Sequence, residues 1–156
     1  MTPLAFASIA ELEAGLGTGA AESDWITVSQ ELVNGFAELT GDRQWIHIDV
    51  ERAKNESPFG ITIAHGFLTL SMLVPMIQSC VTNPPSKLTI NYGFEKIRFV
   101  SPVPVGSDIR GVFTPATLKH ISSDTVEIGW DVEVQVRDAK RPAVAARWLS
   151  RLVGAS

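Results

Sequence analysis

The chain has 156 residues and a mass of 16.9 kDa, which suits one domain with a substantial core and leaves too little for two domains of ordinary size. With 45% hydrophobic and 19% charged residues, it lies outside the disordered and fibrous classes. The formal net charge of -4 and the pI near 5.3 exclude a general positive surface, so we predict no nucleic-acid partner.

Residues 1–24 are predicted to be an N-terminal extension of a single domain that covers residues 1–156. The stretch from Met1 to Leu16 lacks the layout of a secretory signal, because no Lys or Arg precedes its modest apolar part and it carries two glutamates. The lone cysteine, Cys80, lies within an apolar run, as expected of a buried thiol in a reducing compartment. Both features predict a cytoplasmic protein.

The first clear helix signal begins at Ser29, a residue type that commonly caps a helix N-terminus. Glu31 follows in the first turn, and Gly41 ends the pattern. Between them, apolar residues recur at spacings of three and four, which is typical of a helix with one buried face. These apolar residues are Leu32, Val33, Phe36 and Leu39.

A second, shorter helix is predicted after Asp49, which is a plausible N-cap for one or two turns ending near Glu56. Pro58 and Gly60 then close the segment. Two helices and their connection therefore occupy residues 29–60, and residues 40–48 form the loop between the helices.

An apolar run follows, and it predicts a central helix over residues 64–80. The stretch 61–81 contains no Lys, Arg, Asp or Glu and is long enough to span a bilayer. His65, Pro75 and Gln78 are costly or disruptive in lipid, however, and the flanks lack Lys or Arg anchors, so we predict no membrane span. A helix that is apolar on every face must instead be surrounded by other structure.

The second half of the chain predicts an antiparallel sheet. From Val126 to Val136 apolar and polar residues alternate, which is typical of a strand with one buried and one solvated face. Similar segments run over 88–100, 109–118 and 143–153, with short turn clusters between them. Because such short connections favour antiparallel neighbours, residues 87–153 are predicted to form a curved antiparallel sheet around the central helix, giving an α+β domain.

Several residues are assigned structural places from these patterns. Trp130 and Trp148 lie in predicted strands and are expected to be core or interface residues. Trp25 is expected to pack in the short segment before the first helix. His120 is predicted to lie in a solvated turn. The three histidines lack a metal-site spacing and Cys80 has no partner, so no metal and no cofactor is predicted.

Asp42 and His47 lie five residues apart in the predicted loop and form a candidate acid/base pair. A carboxylate and an imidazole can together hold one water and exchange its protons with a substrate. On spacing alone, each has a commoner structural explanation: an Asp after Gly at a helix end is often a turn residue, and a His between two isoleucines is often buried against backbone.

The start of the central helix, Ala64-His65-Gly66, is a candidate for binding a carbonyl oxygen. The first amides of a helix have no intrahelical partners, and Gly66 has no side chain to keep an oxygen away. Such amides can stabilise an enolate, as an oxyanion hole does. An equally weighted alternative is that Gly66 only permits close packing.

Four blocks of sequence resemble one known family. Phe36 to Asp49 (FAELTGDRQWIHID) and Phe59 to Leu68 (FGITIAHGFL) closely resemble the MaoC-like, R-specific enoyl-CoA hydratases of the hot-dog fold. Their motif has an Asp, four residues, a His, and later an Ala/Val-His-Gly at the central helix. Asn91 to Phe99 (NYGFEKIRF) and Pro102 to Gly106 (PVPVG) are similar to the NodN-like branch of that family.

The resemblance implies a hydro-lyase that reversibly adds water to a trans-2-enoyl thioester of coenzyme A or an acyl carrier, giving the (3R)-3-hydroxyacyl thioester. It implies that Asp42 and His47 orient the water, that the Gly66 amide binds the thioester carbonyl, and that the acyl chain enters a tunnel beside the central helix. It also implies a homodimer whose sheets pair edge to edge. Tentative substrate contacts are Trp45, Ile63, Ala64, His65, Phe67, Asn91, Tyr92 and Arg98.

Two departures from the family bear on efficiency and substrate length rather than on reaction class. Gln44-Trp45 stands where many members have Asn-Pro, and Val74 stands where some have a Ser that holds the active-site loop, with Ser71 one turn earlier as a possible substitute. Candidates for contacting coenzyme A phosphates are Lys96, Arg98, Arg110 and Lys119, each equally compatible with a solvated surface. The alternatives are a hot-dog thioesterase and a non-catalytic acyl-thioester-binding subunit.

Overall fold

The computed structural model describes residues 3–155, and its principal feature is a curved six-stranded sheet. The sheet order is β2-β6-β7-β8-β5, with β3 also paired to β6. The strands are β1 (Leu4–Ala5), β2 (Ala21–Glu22), β3 (Ile26–Thr27), β4 (Val81–Thr82), β5 (Leu88–Phe99), β6 (Asp108–Ser122), β7 (Thr125–Val136) and β8 (Val144–Val153). The helices are α1 (Ile9–Ala14), α2 (Gln30–Thr40), α3 (Trp45–Ile48), α4 (Val50–Glu56), α5 (Gly66–Ser71) and α6 (Leu73–Cys80).

The four long strands pair antiparallel, as predicted: β6 with β7, β7 with β8, and β8 with β5. β6 is longer than its predicted range of 109–118, because its pairing with β7 continues as far as the Ser122–Thr125 pair. His120 therefore lies in a strand and not in a turn, although its side chain is exposed as predicted. β5 has only β8 beside it within the described chain, so β5 forms one edge of the sheet.

The predicted alternation of β7 holds for only part of that strand. Trp130, Val132 and Val134 are buried and the intervening acidic residues are exposed. Glu127, predicted on the solvated face, is instead buried. Its carboxylate accepts a hydrogen bond from Arg151 at 3.0 Å, which supplies the ion partner that a buried acid requires.

The central helix is two helices, α5 and α6, that meet at Met72 rather than one helix over 64–80. Pro75 explains the break, because a proline has no N–H to donate to the carbonyl four residues earlier and its ring clashes there. The helix is also not enclosed on every side. Phe67 is 69% exposed and Val74 lies at the surface, so one apolar face of the central helix is open in a single chain.

The opposite face of the central helix packs against the sheet. Leu68, Leu73 and Met76 are buried in one hydrophobic core with the inward residues of β6, β7 and β8. Gly111 of β6 allows the close approach, since a Cβ there would lie 3.2 Å from the Cβ of Met76. Cys80 is buried in the same core, as predicted, and burial raises the pKa of its thiol to about 11, so the thiol is neutral at physiological pH.

Helix α2 has the predicted ends. The Ser29 hydroxyl accepts a hydrogen bond from the backbone N–H of Leu32, and Gly41 adopts a left-handed conformation with φ of 78° that ends the helix. Val33 is fully buried, but Leu39, predicted on the same buried face, is 83% exposed. The apolar pattern therefore continues one turn beyond the part of α2 that contacts the core.

The described part of the N-terminal segment, predicted as an extension over residues 1–24, packs on the body of the fold. β1 pairs in parallel with β4, and α1 buries Leu12 completely. The Ser8 hydroxyl caps α1 by accepting from the N–H of Glu11. Met1 and Thr2 lie outside the described residues, as does Ser156. Within residues 3–155, no helix is long and apolar enough to cross a bilayer.

Candidate active site

The two residues of the predicted acid/base pair lie between α2 and α4. Gly41 turns the chain out of α2, and residues 41–44 form a short exposed loop. The next four residues form helix α3, so His47 lies on a helical turn and not on the loop predicted over 40–48. This turn is held by hydrogen bonds from the N–H of His47 to Gln44 O and from the N–H of Asp49 to Trp45 O.

His47 is buried, with 8% of its surface exposed, and its ring orientation is fixed by backbone. Its Nδ1 lies 2.7 Å from the carbonyl oxygen of Ile63. A carbonyl oxygen only accepts, so Nδ1 must carry the proton, and Nε2 of the neutral ring keeps its lone pair. His47 therefore has a nitrogen that can take a proton and a second nitrogen that anchors the ring.

His65 connects the start of the central helix to the loop that carries Asp42. Its Nε2 lies 2.9 Å from the main-chain oxygen of Asp42, which assigns the Nε2 proton by the same argument. Its ring stacks on His47, with centroids 3.8 Å apart and an angle of 28° between planes, and Phe36 packs on it at 5.0 Å. The Nδ1 of His65 is buried without a hydrogen-bond partner. His65 is thus a support for both members of the predicted pair.

Asp42 itself is exposed, and its carboxylate faces the histidines. One carboxylate oxygen and one ring nitrogen from each of His47 and His65 all lie within 4.8 Å of one another. One water that makes two hydrogen bonds of about 2.8 Å can bridge atoms up to about 5.6 Å apart. The separation of Asp42 and His47 therefore suits a single shared water.

Asp42, His47 and His65 are also residue types that can ligate a metal ion. Their spacing would admit a cation, but two of the four ring nitrogens donate to backbone carbonyls. The stacked rings also hold their lone pairs in nearly parallel planes, whereas ligands to one ion must converge on it. The geometry favours proton exchange over chelation, and the absence of a metal stays a prediction.

A cavity of about 290 Å³ opens beside His47 and the first residue of α5. Of the residues predicted to bind substrate, Ile63 and Ala64 line it, together with His47 and Gly66. The rest of the lining is largely apolar and comes from the ends of β5 and β8 and from the segment between β5 and β6. Those residues are Phe99, Val100, Ser101, Pro102, Val103, Ala143 and Val144, with Thr69 from α5.

Gly66 begins α5, so its N–H is among those without an intrahelical acceptor. The sequence left two explanations for this glycine, ligand approach and close packing. Close packing is present: a Cβ at Gly66 would lie 3.0 Å from Cδ1 of Phe99, tighter than ordinary contact. Because Gly66 also lines the cavity, the ligand explanation stays open beside it.

Three other predicted contacts, Trp45, Phe67 and His65, do not line the cavity. Trp45 begins α3, and the guanidinium of Arg52 covers its ring at 4.4 Å. Phe67 points outward and meets the edge of Phe99 at a centroid distance of 5.8 Å. The ring of His65 stacks on the ring of His47.

The structure does not bring Asn91, Tyr92 or Arg98 to the cavity of their own chain. Asn91 accepts a hydrogen bond from Trp148 Nε1 at 2.6 Å, and Tyr92 lies under Arg151. Tyr92 precedes Phe99 by seven residues, which is roughly 23 Å along a strand. Arg98 is exposed on the outer face of the sheet, opposite the cavity, and donates to the adjacent Ile97 carbonyl.

The other cations proposed for coenzyme A phosphates also lie elsewhere. Arg110 donates to Glu22 at 2.7 Å and packs over Trp25, which lies between Arg110 and Arg137. Lys119 is 4.0 Å from Glu127. Lys96 shares the outer groove of Arg98. Trp130 and Trp148 are core residues, as predicted.

The loop that carries Asp42 is held by a residue other than Val74 or Ser71 of the central helix. Val74 is exposed, and the Ser71 hydroxyl donates to Phe67 O within its own helix, at 2.8 Å, so Ser71 does not reach the loop. The bond from His65 to the carbonyl of Asp42 fixes the loop instead. Arg43 adds an outer contact with Glu38, whose pKa its hydrogen bond lowers.

Sequence reasoning missed three residues of this region: Gln30, Thr62 and Phe99. The Gln30 amide donates to the main-chain oxygen of His47 and accepts from the Thr62 hydroxyl, both at 2.7 Å. Thr62 is almost completely buried. Gln30 follows a helix cap and Phe99 ends a strand, positions that carry no local signal for a site, and only the tertiary fold brings them to His47 and Gly66.

Comparison with known proteins places this arrangement in a family. Residues 12–136 match the sequence profile of the MaoC-like domain family. The chain belongs to this family. A 3-hydroxyacyl-thioester dehydratase Z of Mycobacterium tuberculosis H37Rv is 44% identical over 148 residues, covering 95% of this chain and 97% of that protein. Nodulation protein N of Rhizobium leguminosarum is 40% identical, covering 92% and 89%.

The fold also has solved counterparts. The unliganded R-hydratase PhaJ1 of Pseudomonas aeruginosa superposes with a TM-score of 0.71 and 24% identity, over 96% of this chain and 87% of that one. This likeness confirms the predicted α+β hot-dog fold. By its family this MaoC-like protein is an enzyme of the hydro-lyase class.

Proposed function

We propose that this MaoC-like protein is an R-specific enoyl-thioester hydratase, which reversibly adds water to a trans-2-enoyl thioester and gives the (3R)-3-hydroxyacyl thioester. The observation that carries the proposal is the spacing of Asp42 and His47, whose polar atoms lie within 4.8 Å beside a cavity that Gly66 also lines. The relative at 44% identity, named a 3-hydroxyacyl-thioester dehydratase, supports the same reaction and thioester class.

The proposed step uses each group at a stated atom. A water held between the Asp42 carboxylate and Nε2 of His47 attacks C3 of the enoyl thioester, and His47 takes its proton. The electron pair of the double bond moves towards the thioester carbonyl, and the Gly66 N–H stabilises the developing oxyanion. The acid/base pair, Asp42 and His47, then returns a proton to C2 on the face of the double bond that the water attacked, so the addition is syn. Dehydration is the reverse.

The chemistry needs no cofactor, since an acid/base pair and one amide donor suffice. We propose coenzyme A thioesters as the substrates to test first, with acyl-carrier thioesters as the second source. The single domain over residues 1–156 and the cytoplasmic location stay predictions.

We also propose a homodimer. β5 is a 12-residue edge strand with exposed Leu88, Ile90 and Tyr92, and an unpaired edge of this kind is a ready template for another strand. Phe99 at the end of the same strand contacts the outward Phe67 of the central helix. A second copy at this edge would cover both the strand and the open helix face.

The test is hydration of crotonyl-CoA and longer trans-2-enoyl-CoA thioesters by the purified protein, followed as loss of the absorbance of the conjugated thioester. We expect turnover, with the (3R) product identified by chiral analysis. Asp42→Asn and His47→Gln should each lower kcat by about a hundredfold or more, because each removes one acid/base group. Folded protein without turnover on any enoyl thioester would refute the proposal.

Matched controls are available on the surface. His120→Gln and Asp24→Asn make the same chemical changes at exposed positions that do not line the cavity, and both should leave kcat unchanged. Release of free thiol in place of loss of the conjugated thioester would indicate the thioesterase alternative. Binding of the thioester without turnover, unaffected by His47→Gln, would indicate the non-catalytic subunit.

A further inference from the structure

We propose that Gln30 is the positioning residue that holds Nδ1 of His47 against the Ile63 carbonyl, which keeps the ring proton on Nδ1 and leaves Nε2 free for the reacting atoms. Gln30 is half-buried at the first position of α2, and its side-chain amide uses both of its ends. The Nε2 group donates to the main-chain oxygen of His47 at 2.7 Å and to Asn34 Oδ1 at 2.9 Å. The Oε1 atom accepts from the Thr62 hydroxyl at 2.7 Å.

These bonds close a ring that contains the imidazole of His47. Thr62 is covalently joined to Ile63, whose carbonyl accepts from Nδ1 of His47 at 2.7 Å, and whose N–H donates to Ile46 O at 3.1 Å. Gln30 ties the backbone of His47 to Thr62 on the other side. Helix α3 and the segment that holds the His47 ring are thereby kept at one fixed separation.

Only a primary amide meets both demands at this position. Thr62 is almost completely buried, and its hydroxyl hydrogen needs an acceptor. The main-chain oxygen of His47 needs a donor. The amide orientation follows from these two neighbours, since the flipped amide would face the His47 carbonyl with a second acceptor. A glutamate at position 30 would create that same repulsion and add a charge.

The position of α3 affects the chemistry because it decides which tautomer His47 adopts. A hydrogen bond from one ring nitrogen decides which nitrogen of a histidine is free, and here the Ile63 carbonyl selects Nδ1–H. Without Gln30, the backbone bond from Ile63 N–H to Ile46 O is left to hold α3 beside this segment, and the distance from Nδ1 to Ile63 O is less tightly fixed. Part of the population would then place its proton on Nε2, the atom that must accept one from water.

The first part of the experiment is kinetic and rests on the proposed function. Gln30→Met keeps the length of the side chain and removes all three of its hydrogen bonds, and Gln30→Glu keeps the acceptor and removes the donor. We expect kcat to fall about tenfold to a hundredfold in each, with KM changed less than about twofold, because a small misplacement of a reacting group carries such a cost. Asn34→Ala, which removes only the outer bond of Gln30, should retain wild-type kcat.

The second part is spectroscopic and independent of turnover. In ¹⁵N NMR of the histidine rings, with His47 assigned by its loss in His47→Gln, the wild type should show one neutral tautomer, Nδ1–H. Gln30→Met should show a mixture, while Asn34→Ala should match the wild type. Thermal melting of each variant checks that it is folded.

The outcomes separate the two proposals. An inactive wild type with the expected NMR change would remove the enzymatic function and leave the role of Gln30 standing. A folded Gln30→Met with unchanged His47 ring signals would overturn the role of Gln30, whether or not kcat falls, since a loss of kcat alone would then be only structural.

Discussion

At the scale of single residues, the contact between Gly66 and Phe99 decides how a substrate carbonyl can reach the helix amide. Phe99 is 50% exposed, and its ring carbons lie where a Cβ of residue 66 would project, the nearest at 3.0 Å. In Gly66→Ala the half-exposed ring can move by a few tenths of an ångström, so the chain should fold. The methyl group and the displaced ring would then crowd the cavity, and we expect kcat/KM to fall about tenfold or more.

Gly35→Ala is the matched control for that substitution. Gly35 lies within α2, and a Cβ there meets no atom within 4 Å, so this change should leave kcat/KM unchanged and stabilise the fold by about 0.5–1 kcal/mol. Melting temperature and steady-state kinetics measured on both variants separate the effects. Full activity in Gly66→Ala would show that Gly66 serves packing alone.

The candidate site was predictable from sequence where its chemistry lies in short contiguous blocks. The motif and the helix start predict Asp42, His47 and Gly66 as the site; His47 and Gly66 line one cavity, and an Asp42 carboxylate oxygen lies within 4.8 Å of a His47 ring nitrogen. Supporting groups were not predictable in the same way, because their partners are distant in sequence. Gln30 meets His47 across 17 residues and Thr62 across 32, and no local pattern encodes either contact.

At the scale of elements, helix ends set by local residues were predictable from sequence, whereas contacts between distant elements were not. The boundaries of α2 followed from Ser29 and Gly41, which act through their own backbone. The break between α5 and α6 follows from Pro75 and could have been predicted by the same local chemistry. The burial of α1 could not have been predicted in this way, because its apolar pattern is short and the sheet against which it packs is formed by residues distant in sequence.

Helix α1 supplies a stability prediction. Leu12 is fully buried in the main core, so Leu12→Ala should lower the free energy of unfolding by about 2–5 kcal/mol, the usual cost of removing a large buried side chain. Urea unfolding followed by circular dichroism measures this change. Glu13→Ala, on the exposed side of the same helix, should stay within about 0.5 kcal/mol of the wild type. Equal, small effects would mean that α1 is peripheral to the fold.

At the scale of the whole molecule, one edge of the sheet is covered by other strands and the other edge is unpaired within residues 3–155. The β6 edge is covered by the short strands β2 and β3, whereas β5 leaves its outer backbone groups unpaired within residues 3–155. Two irregularities in its pairing with β8, at Asn91/Gly93 and Phe94/Lys96, twist the strand without covering it. Long apolar edges are aggregation hazards unless another chain pairs with them, and this is the physical ground for the proposed homodimer.

The dimer is tested by placing a charge on that edge. Ile90 is partly exposed on β5 and pairs with Arg151 of β8, so Ile90→Glu gains a favourable neighbour within its own chain. In an interface formed by β5, each glutamate would lose contact with water, and burying a charge in an apolar contact costs free energy. We expect the wild type to sediment at twice the chain mass of 16.9 kDa and Ile90→Glu to shift towards the monomer.

Ile121→Glu makes the same change at an exposed position of β6 and should leave the sedimenting mass unaltered. A wild type that sediments as a monomer would exclude the dimer, and an Ile90→Glu protein that remains a dimer would move the interface away from β5.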